Sequence, residues 1–305
     1  MLASLVAALA SALCYGIAAV MQAMAVRSAS RRPARIRDGN PAADRVDPGL
    51  IVRLLGQWRF LASLGIDIIG FVAQLVALRR LPLFAVQAVI ASNLAVTAVF
   101  AAWLMRVRLS LREWLAVSGV VGGVGLLGTS AGAQGAANVG PGFQIGLMVA
   151  VAGVAVGGMA AAKLPGPART PVLAACAGLG YAVLAVAARI LPGFAPGQLV
   201  RDPASYTLAA AGIVSFMLYA TALEGGSVTV ATAAVVLAET VPPAVVGVVF
   251  LGDTTRHGLT GVGVAGFILA VACAVALARF GEAGDQARPE AAEEAAGRSR
   301  ATTSV

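Results

Sequence analysis

Apolar runs of about 20 residues, each long enough to cross a ~30 Å hydrocarbon layer at 1.5 Å per residue, recur along this chain. Nine such segments are expected: residues 2–26, 58–78, 82–104, 113–130, 143–162, 170–190, 204–223, 229–250 and 258–278. A chain that is 59% hydrophobic and 12% charged, with a mean hydropathy of +0.87, fits no ordinary soluble fold of 305 residues. In lipid every backbone donor and acceptor must be satisfied internally, which leaves α-helices as the solution for runs of this length. The expected class is therefore all-α, a polytopic membrane protein. Its 36 glycines and many alanines suit helices that approach closely in lipid.

The basic residues orient it. With the N-terminus outside and nine crossings, 17 of the 22 lysines and arginines fall on the inner side and five on the outer side. The excess of positive charge in cytoplasmic loops then places the C-terminus in the cytoplasm, in an inner membrane. Residues 2–26 lack a positive leading region and run straight into arginines, so they read as a retained helix and not a cleaved signal. The loop 27–57 carries Arg27, Arg31, Arg32, Arg35, Arg37, Arg45 and Arg53. It reads as a cytoplasmic, topology-fixing loop, with contact to anionic lipid headgroups as the alternative. The tail 280–305 mixes charges with Ala and Ser and is expected to be disordered.

Several function classes drop out. The net charge of +8 belongs to helix ends and one loop, which argues against nucleic acid as a partner. Cys14, Cys176 and Cys273 lie apart in apolar segments, and His257 is the only histidine. No metal-ligand spacing, nucleophile elbow or phosphate loop is present, so neither an enzyme nor a cofactor is expected.

Two halves are expected, 1–130 with four helices and 143–279 with five. A weak repeat relates them. At an offset of 146 residues Asn93 aligns with Glu239, and each sits in a helix that precedes a short polar turn and a glycine-rich helix. The helix carrying Asn93 starts from an outer turn, 79–81, and the helix carrying Glu239 from an inner one, 224–227, so the halves have opposite topology. Inverted repeats with a site between them near the midplane are a transporter design.

The candidate site follows from cost. A carboxylate at bilayer depth costs at least ~2.5–3.5 kcal/mol on insertion scales, so Asp67 and Glu239 call for a pathway or a partner. Gln74 lies two turns beyond Asp67, and Gln87 and Asn93 add amides in the next helix, with Thr97 beyond and Gln22 as a further candidate. Pro242 and Pro243 follow Glu239 and are expected to break the helix, freeing carbonyls beside the carboxylate. The plainer alternative is that these groups only hydrogen-bond helices together. Arg189 reads as a snorkelling anchor. Gly119 with Gly123, and Gly153 with Gly157, have the small-residue spacing of close helix packing, within the protomer or on a homodimer face.

The stretch Gly70-Phe-Val-Ala-Gln74-Leu-Val-Ala77-Leu78, then Leu81-Pro82, then Val86-Gln87-Ala88, resembles the NIPA-like magnesium transporters of the drug/metabolite transporter superfamily. That family carries G-E-x-x-N-x-x-A-Y, A-P and V-T/Q-P-L at the same ungapped spacing. Residues 104–112 and the glycine-rich helix after them look like an EamA-type half repeat, and residues 239–253 resemble its second copy. Phe71 stands where the family has its acid, Gln74 where it has asparagine and Ala88 where it has proline. Asp67, one turn before Phe71, is the candidate replacement. The resemblance implies a nine-helix transporter and a divalent cation, possibly magnesium, as cargo. An exporter of small organic metabolites or drugs, and a non-transporting accessory subunit, are the rival expectations.

Overall fold

The computed structural model describes residues 2–30, 58–105, 109–135, 139–166, 168–191, 193, 196–223, 228–277 and 279. The helices are α1 (Leu2–Ser30), α2 (Trp58–Ala77), α3 (Leu83–Ala91), α4 (Asn93–Met105), α5 (Leu111–Ser130), α6 (Pro141–Ala162) and α7 (Arg169–Ile190). A single turn α8 (Pro196–Leu199), α9 (Pro203–Leu223), α10 (Val228–Val249) and a last helix α11 (Thr260–Leu277) complete the chain. There is no β-strand among the described residues, only an isolated bridge between Ala131 and Thr255.

Eight of these spans are long and apolar enough to cross a membrane, with α3 and α4 together forming one of them. The ninth expected segment is α2, whose apolar part Leu61–Ala77 is shorter. The architecture is that of a multi-pass membrane protein. Its outer surface agrees: α6 leaves Ile145, Val149, Val156 and Met159 largely exposed, which is costly in water and neutral against lipid.

Local chemistry sets the helix ends. Ser110 caps α5 through a reciprocal box, its Oγ accepting the Glu113 amide at 3.3 Å while Glu113 Oε2 accepts the Ser110 amide at 2.6 Å. Asp202 Oδ1 accepts the Ala204 amide at 2.8 Å and opens α9. Pro141 starts α6, where its missing N–H costs nothing.

Two expectations need correction. Residues 27–30, read as the start of the basic loop, are the last turn of α1; the rest of that loop and the tail 280–305 lie outside the described residues. The segment 82–104 is not one helix. It divides at Ser92, whose Oγ donates to the Val89 carbonyl at 2.5 Å while its amide is shared between the Ala88 and Val89 carbonyls. The Ser92 carbonyl is likewise shared between the Ala95 and Val96 amides, so the chain tightens locally to a 3₁₀-like turn at this residue.

Packing falls into two groups of similar pattern. α1 packs on α2 and α4; α7 packs on α9, α10 and α6; α3 crosses from the first group to α10 of the second. α11 closes on α5. A Cβ at Gly123 would lie 2.6 Å from the Ala270 amide nitrogen and one at Gly266 2.9 Å from the Gly123 carbonyl, so these backbones touch only because both residues are glycine. The Gly119–Gly123 spacing is thus used inside the protomer. Among the described residues Gly153 faces open space and Gly157 meets only Cys176 at 3.9 Å, so that pair carries no close packing there. At the 146-residue offset α2 falls on α9, α3–α4 on α10 and α5 on α11, each within three residues.

Candidate functional site

The centre of the bundle is α3, a nine-residue helix buried along its whole length. It carries Gln87, 5% exposed, whose Nε2 donates to the backbone carbonyl of Glu239 at 3.0 Å. The sequence explains why that carbonyl is free. In an α-helix it would accept from the amide four residues on, which belongs to Pro243 and does not exist. Pro242 likewise leaves the Ala238 carbonyl without its partner. The expected helix break is corrected here: α10 runs without interruption through Pro242 and Pro243, and only its hydrogen-bond ladder is cut. The interruption of the helix itself occurs at Ser92, next to Asn93, the residue aligned with Glu239.

On the other side of the site Tyr15 of α1 donates its hydroxyl to Gln74 Oε1 at 2.7 Å. Gly70 makes this possible, since a Cβ there would lie 2.9 Å from Cys14 Cβ and 3.3 Å from the Tyr15 ring. α4 meets α1 at Gly16, where a Cβ would come within 2.7 Å of Val96 and 2.9 Å of the Asn93 carbonyl. Thr97 Oγ1 seals that contact, donating to the Asn93 carbonyl at 2.8 Å with the Gly16 carbonyl at 3.3 Å. Gly178 does the same between α7 and α10, one turn before Glu239, with the Val235 carbonyl 2.6 Å from where its Cβ would stand.

Asp67 and Glu239 are both half-buried. Both carboxylates lie within electrostatic reach of the Tyr15 and Tyr181 hydroxyls, and Glu239 also reaches Tyr219. Tyr219 shares a hydrogen bond with Thr232 at 3.3 Å. So the structure joins Gln87 to Glu239 and Gln74 to Tyr15, and sets the two acids around common tyrosines. Asn93 and Thr97 belong to the α1–α4 contact. The side chain of Gln22 lies outside the described residues.

Sequence reasoning passed over the tyrosines. Three of the four in the chain, on α1, α7 and α9, converge here, while Tyr206 is exposed. The available signal was that Tyr15 and Tyr181 are the only aromatic residues in their helices. Arg189, expected as a snorkelling anchor, needs correction. It does not snorkel: it is 6% exposed and its Nη2 stands 3.4 Å from Oδ1 of Asp253, itself 3% exposed.

The arrangement offers two carboxylates, two amide side chains, a carbonyl outside its helix ladder and three phenols. Such a set can strip water from a cation or hold a polar solute, and the aromatic faces can hold an organic cation. The described residues contain no group of three or more His, Cys, Asp or Glu placed to share a metal ion. Comparison with protein-family models, with curated proteins and with solved structures finds no match to this chain.

Proposed function

We propose that this protein is an inner-membrane transporter that moves a small solute or cation by alternating access between two inverted halves. The observation that carries the reading is the join of Gln87 to Glu239. A polar side chain from the wholly buried α3 completes the opened ladder of α10, beside a membrane carboxylate, at the contact between the two helix groups. Irregular hydrogen bonding at membrane depth is tolerated where it is buried in protein or lines a cavity.

Nine crossings, counting α2, give the halves opposite topology, with the N-terminus outside and the C-terminus inside, as the basic residues require. Helices matched at a constant offset and packed in the same pattern support the inverted repeat. Asp67 and Glu239 are the substrate or coupling-ion contacts, with Gln74, Gln87 and Asn93 along the path. A divalent cation such as magnesium is one cargo, drawn to two carboxylates while keeping part of its water shell. The second reading, export of a small organic solute, is favoured by Tyr15, Tyr181 and Tyr219 around the acids. Flux into vesicles holding the purified protein, run against divalent cations and organic amines, separates them. Flux of neither class would return the polar groups to the role of helix contacts.

A further inference from the structure

The start of α3, residues 131–135, the end of α7 and the turn 250–259 meet at one end of the bundle, and one side chain ties them. Asp253 Oδ2 accepts the amide of Leu83, which opens α3, at 2.6 Å. Its Oδ1 accepts the amide of Gly135 at 2.9 Å and pairs with Arg189 at the end of α7. Arg189 Nη2 also donates to the Gly135 carbonyl at 3.0 Å, and Gln134 Nε2 reaches the Leu78 carbonyl at 2.7 Å. Leu83 belongs to the first half, Asp253 and Arg189 to the second, and Gly135 to the connection between them. Beneath the knot Leu81, Val86, Ile190 and Leu251 form a buried apolar plug.

Small residues make room for the carboxylate. A Cβ at Gly247 would stand 2.8 Å from Asp253 Oδ2, and one at Gly135 would overlap the Leu251 carbonyl. Gly252 turns the chain with φ of 71°.

We propose that Asp253 and Arg189 form the gate that closes the translocation path at this end. The inference rests on the transport reading above. Three observations separate a gate from a plain staple. The Leu83–Asp253 bond crosses between the halves that alternating access must part, and Arg189 holds Asp253 from within the second half. The pair is incompletely satisfied: the ionic contact is 3.4 Å, and Arg189 Nε is buried without a hydrogen-bond partner among the described residues. A buried polar group left unmade weakens the state that holds it, so this closure is reversible where a complete network would be fixed. Lastly, α3 connects gate and site. Its Leu83 amide holds Asp253 and its Gln87, one turn on, holds Glu239, so sliding α3 against α10 breaks both contacts together.

The test uses a full-length protein with Cys14, Cys176 and Cys273 replaced by Ala and a reporter thiol introduced by Val86→Cys. Val86 is fully buried one turn below the gate. A control carries Ala174→Cys instead, equally buried near the opposite end of α7. A membrane-impermeant maleimide is applied to right-side-out and, separately, inside-out vesicles. If the open state is a minor one of at most about 10%, Asp253→Asn should raise labelling at position 86 about tenfold or more, from one side only. Position 174 should not change. Where Asp253→Asn fails to reach the membrane, Arg189→Lys, which keeps the charge and loses the planar fork, should raise labelling at position 86 alone. No rise, or an equal rise at both positions, overturns the gate. Absence of flux in the unaltered protein overturns the transport reading separately.

Discussion

Glu239 does two separable things. Its carbonyl accepts from Gln87, and its carboxylate lies within electrostatic reach of three tyrosines. Glu239→Gln leaves the first intact and removes the charge. It should give normal folding and membrane yield with coupled flux, or its pH dependence, abolished, because no proton is left to exchange for an arriving cation. Asp67→Asn should weaken flux less. Vesicle flux at several pH values checks both; unchanged flux in Glu239→Gln would leave helix bonding as its role. The carbonyl contact has its own test. Gln87→Leu should cost about 1–3 kcal/mol by leaving a buried acceptor unmade. Pro243→Ala supplies the missing amide, so the double variant should lose less than the sum of the two. A double-mutant cycle on thermal stability measures that coupling.

At the scale of helices, contacts depend on where a glycine meets backbone. Gly123 and Gly153 look alike in sequence, each in a small-residue pair on an apolar helix. Gly123 lies against the α11 backbone, whereas Gly153 faces open space. Gly123→Ala should destabilise by roughly 1–3 kcal/mol through overpacking, and Gly153→Ala should be neutral or slightly stabilising. Melting of the purified protein in detergent compares them, and equal shifts would contradict the α5–α11 contact. The same logic explains α7, whose Gly178 admits α10 at the level of the site.

For the molecule as a whole, the proposed orientation rests on charge and not on packing. A reporter active only in the cytoplasm should work when fused after residue 305 and stay silent in the 131–142 loop. A reversed pattern would put the Asp253–Arg189 end on the cytoplasmic side and would require an even number of crossings or an inside N-terminus. The knot itself supports alternation, because connections 78–82, 131–140 and 250–259 bond to one another, as neighbours at one face must.

The sequence alone determined the helical class, the approximate ends of the long apolar helices and the two membrane carboxylates. Each is a local property: lipid leaves a 20-residue apolar run one way to satisfy its backbone, and a charge inside such a run is conspicuous wherever the helix packs. It could not say which helix would be interrupted. A Pro-Pro pair looks stronger than Ser92, yet α10 stays helical because Gln87, 152 residues away in sequence, takes up the freed Glu239 carbonyl. Nor could it show that Arg189 would find Asp253, or that three scattered tyrosines would come within electrostatic reach of Glu239. Those outcomes depend on which faces of distant helices meet, and tertiary packing alone decides that.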